Sequence, residues 1–251
     1  MALSEFAKNY HEKMLPGYES TLQVTDPEFI ERFDNFAFDE VINQPGLELD
    51  DKTRFTAFLA VLLGCQGAED FRVMLPCALN MGLTPVEVKE IVYQATAYLG
   101  MGRVFPFLKI VNEELTSRGI SLPLEGQATT TAETRLKDGN QAQIDIFGEH
   151  IRESWKTSPA ESAHINYWLA DNCFGDYYTR TGLDLKTREL ITFCFLYAQG
   201  GAEPQLLAHT KANFSMGNDK AFLIKIISAC IPFIGYPRTL NALRIINEAA
   251  G

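Results

Sequence analysis

The sequence predicts an all-α protein built from two copies of one six-helix module. Three observations carry that expectation. First, the same signals return half a chain later. Leu47-Glu-Leu-Asp-Asp-Lys-Thr-Arg54 is answered by Leu183-Asp-Leu-Lys-Thr-Arg188, Gly67-Ala68-Glu69 by Gly201-Ala202-Glu203, and Met81-Gly82 by Met216-Gly217. Near the ends, Gly100, Arg103, Leu108, Ile110, Asn112 and Glu113 are matched by Gly235, Arg238, Leu243, Ile245, Asn247 and Glu248. Second, the apolar spacing is helical, with no sustained alternation closed by hairpin turns. Third, start and stop signals for helices recur along both halves.

The first copy reads as helices near 3–15, 26–43, 51–66, 69–81, 85–98 and 103–118. Thr25-Asp-Pro-Glu28 has the form of a capping box opening the second helix. In the third, Phe55, Phe58, Leu59, Leu62 and Leu63 fall on one face. Thr84-Pro-Val-Glu87 is a second capping box, with Pro85 at the first helical position. The second copy reads as helices near 138–156, 159–178, 184–199, 203–216, 219–233 and 237–249. Ser158-Pro-Ala-Glu161 repeats the capping-box form, and 190–198 is apolar all round, as a buried helix is. Gly64, Gly82, Gly100, Gly200-Gly201, Gly217 and Gly235 mark the expected helix ends. The polar, Thr-rich stretch Ser121 to Thr134 is the one convincing linker. The chain therefore divides into a first repeat, 1–120, a linker, 121–137, and a second repeat, 138–251.

A formal charge of −10 disfavours nucleic acid and anionic membrane as partners. No apolar run is long enough to span a membrane. Met1 to Tyr10 carries Glu5 and Lys8 and lacks the apolar core of a secretory leader. Cys65, Cys77, Cys173, Cys194 and Cys230 include no C-x-x-C pair and mostly sit in apolar runs. They read as reduced thiols packed as small hydrophobes, which fits a cytoplasmic location. No Cys/His cluster has metal-ligand spacing, and Gly100-Met-Gly102 lacks the strand and third glycine of a dinucleotide site. Neither metal nor cofactor is expected. His11, His150 and His164 stand isolated and read as surface or capping residues. Trp168, Phe174, Tyr177 and Tyr178 follow helical spacing and read as core.

Leu183-Asp-x-Lys-x-Arg-Glu-Leu190, then Gly200-Gly-Ala-Glu-Pro-Gln-Leu-Leu-Ala-His209, Gly217 and Gly235-Tyr-Pro-Arg-x-Leu-Asn241 follow one another in order. This pattern resembles the carboxymuconolactone decarboxylase family, which includes alkylhydroperoxidase D. The resemblance covers most of the second copy. The first copy matches the scaffold and not the polar positions. It implies two tandem alkylhydroperoxidase D-like modules and a homotrimer with pseudo-hexameric arrangement. The peroxidase branch of the family uses two thiols one turn apart, a following His and an upstream helical Glu. On this chain the thiol positions fall on Ala202 and Gln205, the His on His209 and the Glu on Glu189. The acid–base partners are present and the redox thiols are not.

That implies a cofactor-free lyase that transfers a proton to a small carboxylated, lactone-like substrate. His209 would be the proton carrier, since imidazole titrates near neutral pH, and Glu189 its partner. Gln205, Arg238 and Tyr236 are the candidate substrate contacts. Two other readings stay open: a peroxiredoxin-like antioxidant enzyme, and a non-catalytic binding protein in which the His–Glu pair is structural. Glu189 has an alternative as well, pairing with Arg188 or Lys186 at the helix start. Arg238, which returns the Arg103 position, has the alternative of a scaffold ion pair. In the first copy Glu189, Gln205 and His209 correspond to Phe55, Phe71 and Leu75, so that copy reads as having lost its site to packing.

Overall fold

A computed structural model of the chain describes residues 2–251. Every regular element among them is helical. In the first copy α1 spans Glu5–Met14 and α2 Leu22–Thr25. Then α3, Pro27–Asn35, runs into a π-helical turn at Phe36–Glu40. They are followed by α4 (Asp51–Cys65), α5 (Ala68–Asn80), α6 (Pro85–Leu99) and α7 (Met101–Ser117). The second copy repeats the order. It has α8 (Arg135–Phe147), two short 3-10 turns (Glu149–Ile151 and Ser154–Thr157), and α9 (Ala163–Trp168), which runs into a π-helical stretch at Leu169–Tyr178. Then come α10 (Leu185–Gln199), α11 (Glu203–Ser215), α12 (Lys220–Ala229), α13 (Ile231–Ile234) and α14 (Tyr236–Ala250).

The two repeats share one core, and α4 and α10 lie at its centre. Residues 188–198 of α10 are all buried, the apolar run 190–198 together with the charged Arg188 and Glu189. Residues 54–64 of α4 are all buried too, so the one-faced reading of that helix is corrected. α5, α6 and α7 cover part of α4, and α10 with α13 covers the rest. The close approach of the central pair explains Gly64. A Cβ there would lie 2.8 Å from both the Ala198 Cβ and the Phe195 carbonyl oxygen. Gly64 is thus a packing glycine and not a stop; the left-handed cap of α4 is Gln66 at φ 63°.

Buried charge also joins the copies. Glu90 on α6 receives Arg188 of α10 at 3.0 Å and Arg180 at 2.9 Å. Arg188 further donates to Gln94 Oε1 at 2.8 Å and to the Arg180 carbonyl at 2.9 Å. These bonds hold the two terminal nitrogens of a guanidinium that has no exposed surface, and leave its buried Nε without a partner.

Several helix limits differ from the expectation. The expected helix 138–156 starts at Arg135, inside the stretch read as linker, and stops at Gly148, whose φ of 96° breaks it. The helix expected at 159–178 opens only at Ala163. Ser158 is extended, and Pro159 to Ser162 form a turn, so no capping box forms there. Asp26, not Thr25, precedes α3, and it caps without a side-chain bond. The box at Thr84 and Glu87 does form. Pro232, which lacks an amide hydrogen, falls where the expected 219–233 helix divides into α12 and α13. The linker is pinned to the second copy: the Thr181 amide donates to Gln127, and the Thr130 hydroxyl to the Gly175 carbonyl.

Candidate acid–base site

The site lies where the second turns of α10 and α11 meet. Asp184 caps α10 by accepting from the Thr187 amide at 2.8 Å. That start places Glu189 on the side of α10 facing α11, with no exposed surface. On α11, His209 follows one turn after Gln205 and is 8% exposed. The two side chains meet: His209 Nδ1 lies 2.8 Å from Glu189 Oε2. Asn213, one turn beyond His209, fixes the spacing of the helices. Its amide donates to the Glu189 carbonyl at 2.9 Å and to the His209 carbonyl at 2.8 Å. Asn218 in turn donates to Asn213 and to the Lys186 carbonyl.

Aromatic rings enclose the pair. Tyr98 meets the imidazole edge-on at 5.5 Å, and Phe147 does so at 5.4 Å. Tyr98 comes from α6 of the first repeat, so both copies build this site. Its hydroxyl lies 2.6 Å from that of Tyr178, which lies 2.8 Å from Thr192 Oγ1. Gln94 donates to the same Thr192 at 2.9 Å and closes the chain. Burial pushes the Tyr98 and Tyr178 hydroxyls well above the usual phenol range, with the Glu189 carboxylate adding to the shift. They are therefore neutral donors at any ordinary pH. Glu189 Oε1 is buried and has no hydrogen-bond partner. A carboxylate oxygen left this way is uncommon, and it marks either strain or a place for a ligand.

The remaining candidates lie apart from the pair. Gln205 is exposed, one turn before His209. Arg238 lies beside Gly200, at the far end of α10, which puts it about 16 Å along the helix from Glu189. Tyr236, at the start of α14, is exposed. Arg238 and Arg103 form no ion pair among the described residues. Arg103 instead reaches Gln199 at 3.4 Å, which corrects the scaffold-pair alternative. Neither Arg188 nor Lys186 takes Glu189, because Arg188 belongs to Glu90. His11 is not isolated: its Nε2 lies 3.6 Å from Asp34 Oδ1. Trp168 is exposed rather than core, whereas Phe174 and Tyr178 are buried. Phe55, Phe71 and Leu75, the first-copy counterparts of the polar trio, are wholly buried.

Four of the five thiols are buried, and Cys65 is half-buried. All five cysteines are free. Cys194 is wholly buried, and burial holds its thiol well above the usual range. Among the described residues no group of three His, Cys, Asp or Glu side chains could hold a metal ion. No helix among them is long and apolar enough to cross a membrane.

The model of the carboxymuconolactone decarboxylase family matches this chain twice, over residues 27–113 and 165–248. The chain belongs to the carboxymuconolactone decarboxylase family. It carries two copies of the family's domain, and the helical repeat is their expression. A curated 4-carboxymuconolactone decarboxylase from Acinetobacter baylyi (strain ATCC 33305 / BD413 / ADP1) is 28% identical over 117 residues. That match takes 46% of this chain and 87% of the relative, as one module set against two would. The family pattern did not point to Tyr98 or Phe147: Phe147 lies outside both matched stretches, and Tyr98 lies in the first, away from the second copy's His209.

Proposed function

We propose that this protein is a cofactor-free decarboxylase of a small carboxylated lactone, with His209 as the proton carrier. The observation that carries the reading is the 2.8 Å contact between His209 Nδ1 and Glu189 Oε2 inside an aromatic enclosure. An ionised Glu189 accepts from Nδ1–H, which leaves Nε2 as the ring nitrogen free to exchange a proton. In the reaction the bond between the carboxylate carbon and its neighbour breaks, and carbon dioxide departs. The electron pair stays on the neighbouring carbon, delocalised into the lactone carbonyl. Imidazolium Nε2–H then protonates that carbon, and Nε2 takes its next proton from solvent. Glu189 is a positioning residue: it fixes the tautomer and stabilises the imidazolium. The low polarity supplied by Tyr98 and Phe147 favours loss of charge from the bound carboxylate.

A peroxidase reading lacks its nucleophile, since Ala202 and Gln205 stand at the thiol positions. The assembly we propose with this function is a homotrimer of two-module chains. Met101 and Phe105 on α7 correspond to Tyr236 and Leu240 on α14, and all four are more than half exposed. Matching apolar patches on the two copies suit a ring in which each module meets an equivalent neighbour.

The test is carbon dioxide release from 4-carboxymuconolactone, the compound in the relative's name. The wild-type chain should release it without added metal or cofactor. His209→Asn keeps the size but cannot carry a proton near neutral pH, so it should lose about 10²–10⁴-fold in rate with the fold intact. Equal rates in the two proteins would overturn the assignment of His209.

A further inference from the structure

Between the first repeat and α13 lies a partly open pocket of about 220 Å³ that the decarboxylase reading does not use. It lies between α1, α3, α5 and α13, and its walls include His11, Asp34, Phe38, Met74 and Phe233. It occupies the place in the first copy that the His209 site holds in the second. His11 meets Phe38 edge-on at 4.8 Å and 83°. Phe147 meets Phe174 edge-on at 5.9 Å and 77°. Phe38 and Phe174 both belong to the π-helical segments, and Phe233 lies in the part of the second copy that matches Tyr98 in the first. The polar group has changed walls. In the second copy the histidine comes from α11 and faces the phenylalanine of α8. In the first, α5 supplies Val73, Met74 and Cys77, and the histidine comes from α1.

We propose that this cavity is a second small-molecule site, for a neutral, one-ring, largely apolar compound carrying a single hydroxyl group. His11 Nε2 is buried and has no hydrogen-bond partner. It lies 3.6 Å from Oδ1 of the buried Asp34, too far for a hydrogen bond between them. A ligand hydroxyl placed between them donates to Asp34 and accepts from His11 Nε2–H, which satisfies both. Much of the rest of the wall is apolar or aromatic, with Phe33 and Phe38 both edge-on to Phe233, and Ser20, Thr21 and Gln23 add polar groups. An apolar cavity of about 150 Å³ takes up benzene, so this larger one holds a ring with a substituent. Asp34, with the exposed Asp70 also on the wall, repels anions. The site therefore disfavours an anionic ligand.

The experiment titrates the full chain with phenol, with toluene as its hydroxyl-free counterpart and benzoate as its anionic one. Binding is followed by NMR through the ring protons of His11. Phenol should bind saturably and more tightly than toluene, and benzoate should not perturb His11. His11→Phe installs the residue of the second copy and should weaken phenol binding by about tenfold or more while sparing toluene, read by calorimetry. Asp34→Asn keeps the shape and should weaken phenol relative to toluene and admit benzoate, so the proposal stays testable if His11→Phe does not fold. Equal affinity for phenol and toluene, benzoate binding as tightly as phenol, or no shift at His11 with any of the three would overturn it.

Discussion

Glu90→Gln removes one charge from the cluster joining the repeats and leaves its space filled. Glu90 is 1% exposed and Arg188 has no exposed surface. Burial pushes the Arg188 guanidinium below its usual range, and Glu90 is the largest opposing influence. Without that carboxylate, Arg188 keeps Gln94 and the Arg180 carbonyl as acceptors but has no counter-charge. Arg180 loses less, because 18% of its side chain reaches solvent. Removing one partner of a buried ion pair costs about 3–5 kcal/mol. For a chain of this size that is a fall in Tm of roughly 6–20 °C. Thermal melts followed by circular dichroism, at one protein concentration, measure it. Arg188→Met added to Glu90→Gln removes the stranded charge, so the double variant should be more stable than Glu90→Gln alone. A Tm loss below about 2 °C for Glu90→Gln, or a double variant less stable than the single, would mean that Glu90 is not the counter-charge Arg188 depends on.

Other consequences are checked with the same equipment. Gly64→Ala forces a methyl against α10 and should cost about 1–3 kcal/mol by urea denaturation. Leu75→Ala empties a wholly buried position and should cost about 2–5 kcal/mol in the same assay. Burial pushes the thiols of Cys77, Cys173 and Cys230 up to about 12. Unfolded thiols ionise near pH 8.5, so above that value the unfolded chain loses protons that the folded chain keeps. Stability should be full below about pH 8.5 and fall by up to about 1.4 kcal/mol per pH unit for each thiol up to pH 12, seen as a dropping Tm. Sedimentation at micromolar concentration should show a trimer and not a 28.1 kDa monomer.

The repeat was legible because caps, glycines and the Asp-x-Lys-x-Arg starts are local signals that recur. Glu189 and His209 were legible as partners because the family resemblance places its Glu and His on them; that they meet is seen only in the fold, where both face the seam of α10 and α11. The enclosure was not, because Tyr98 and Phe147 reach the imidazole through contacts distant in sequence. The same limit hid Glu90, whose partners Arg180 and Arg188 come from the other copy. α4 looked one-faced because Arg54 and Thr56 interrupt its apolar pattern, yet both are buried. Arg54 is held by Asp51 at 2.9 Å and by Tyr10 at 3.2 Å, and Thr56 bonds back to the Lys52 carbonyl. His11 read as isolated because its neighbour Asp34 lies two elements away.

If His209 and Glu189 work as one proton-transfer unit, a double-mutant cycle on decarboxylation rate will show it. Rates are measured for His209→Asn, Glu189→Gln and the double variant with the carboxylated lactone, each checked for an unchanged fold. Partners in one relay do not contribute additively. Each single variant should lose rate heavily, and the double variant should be little worse than either. Losses that multiply in the double variant, or a Glu189→Gln protein as fast as the wild type, would contradict it.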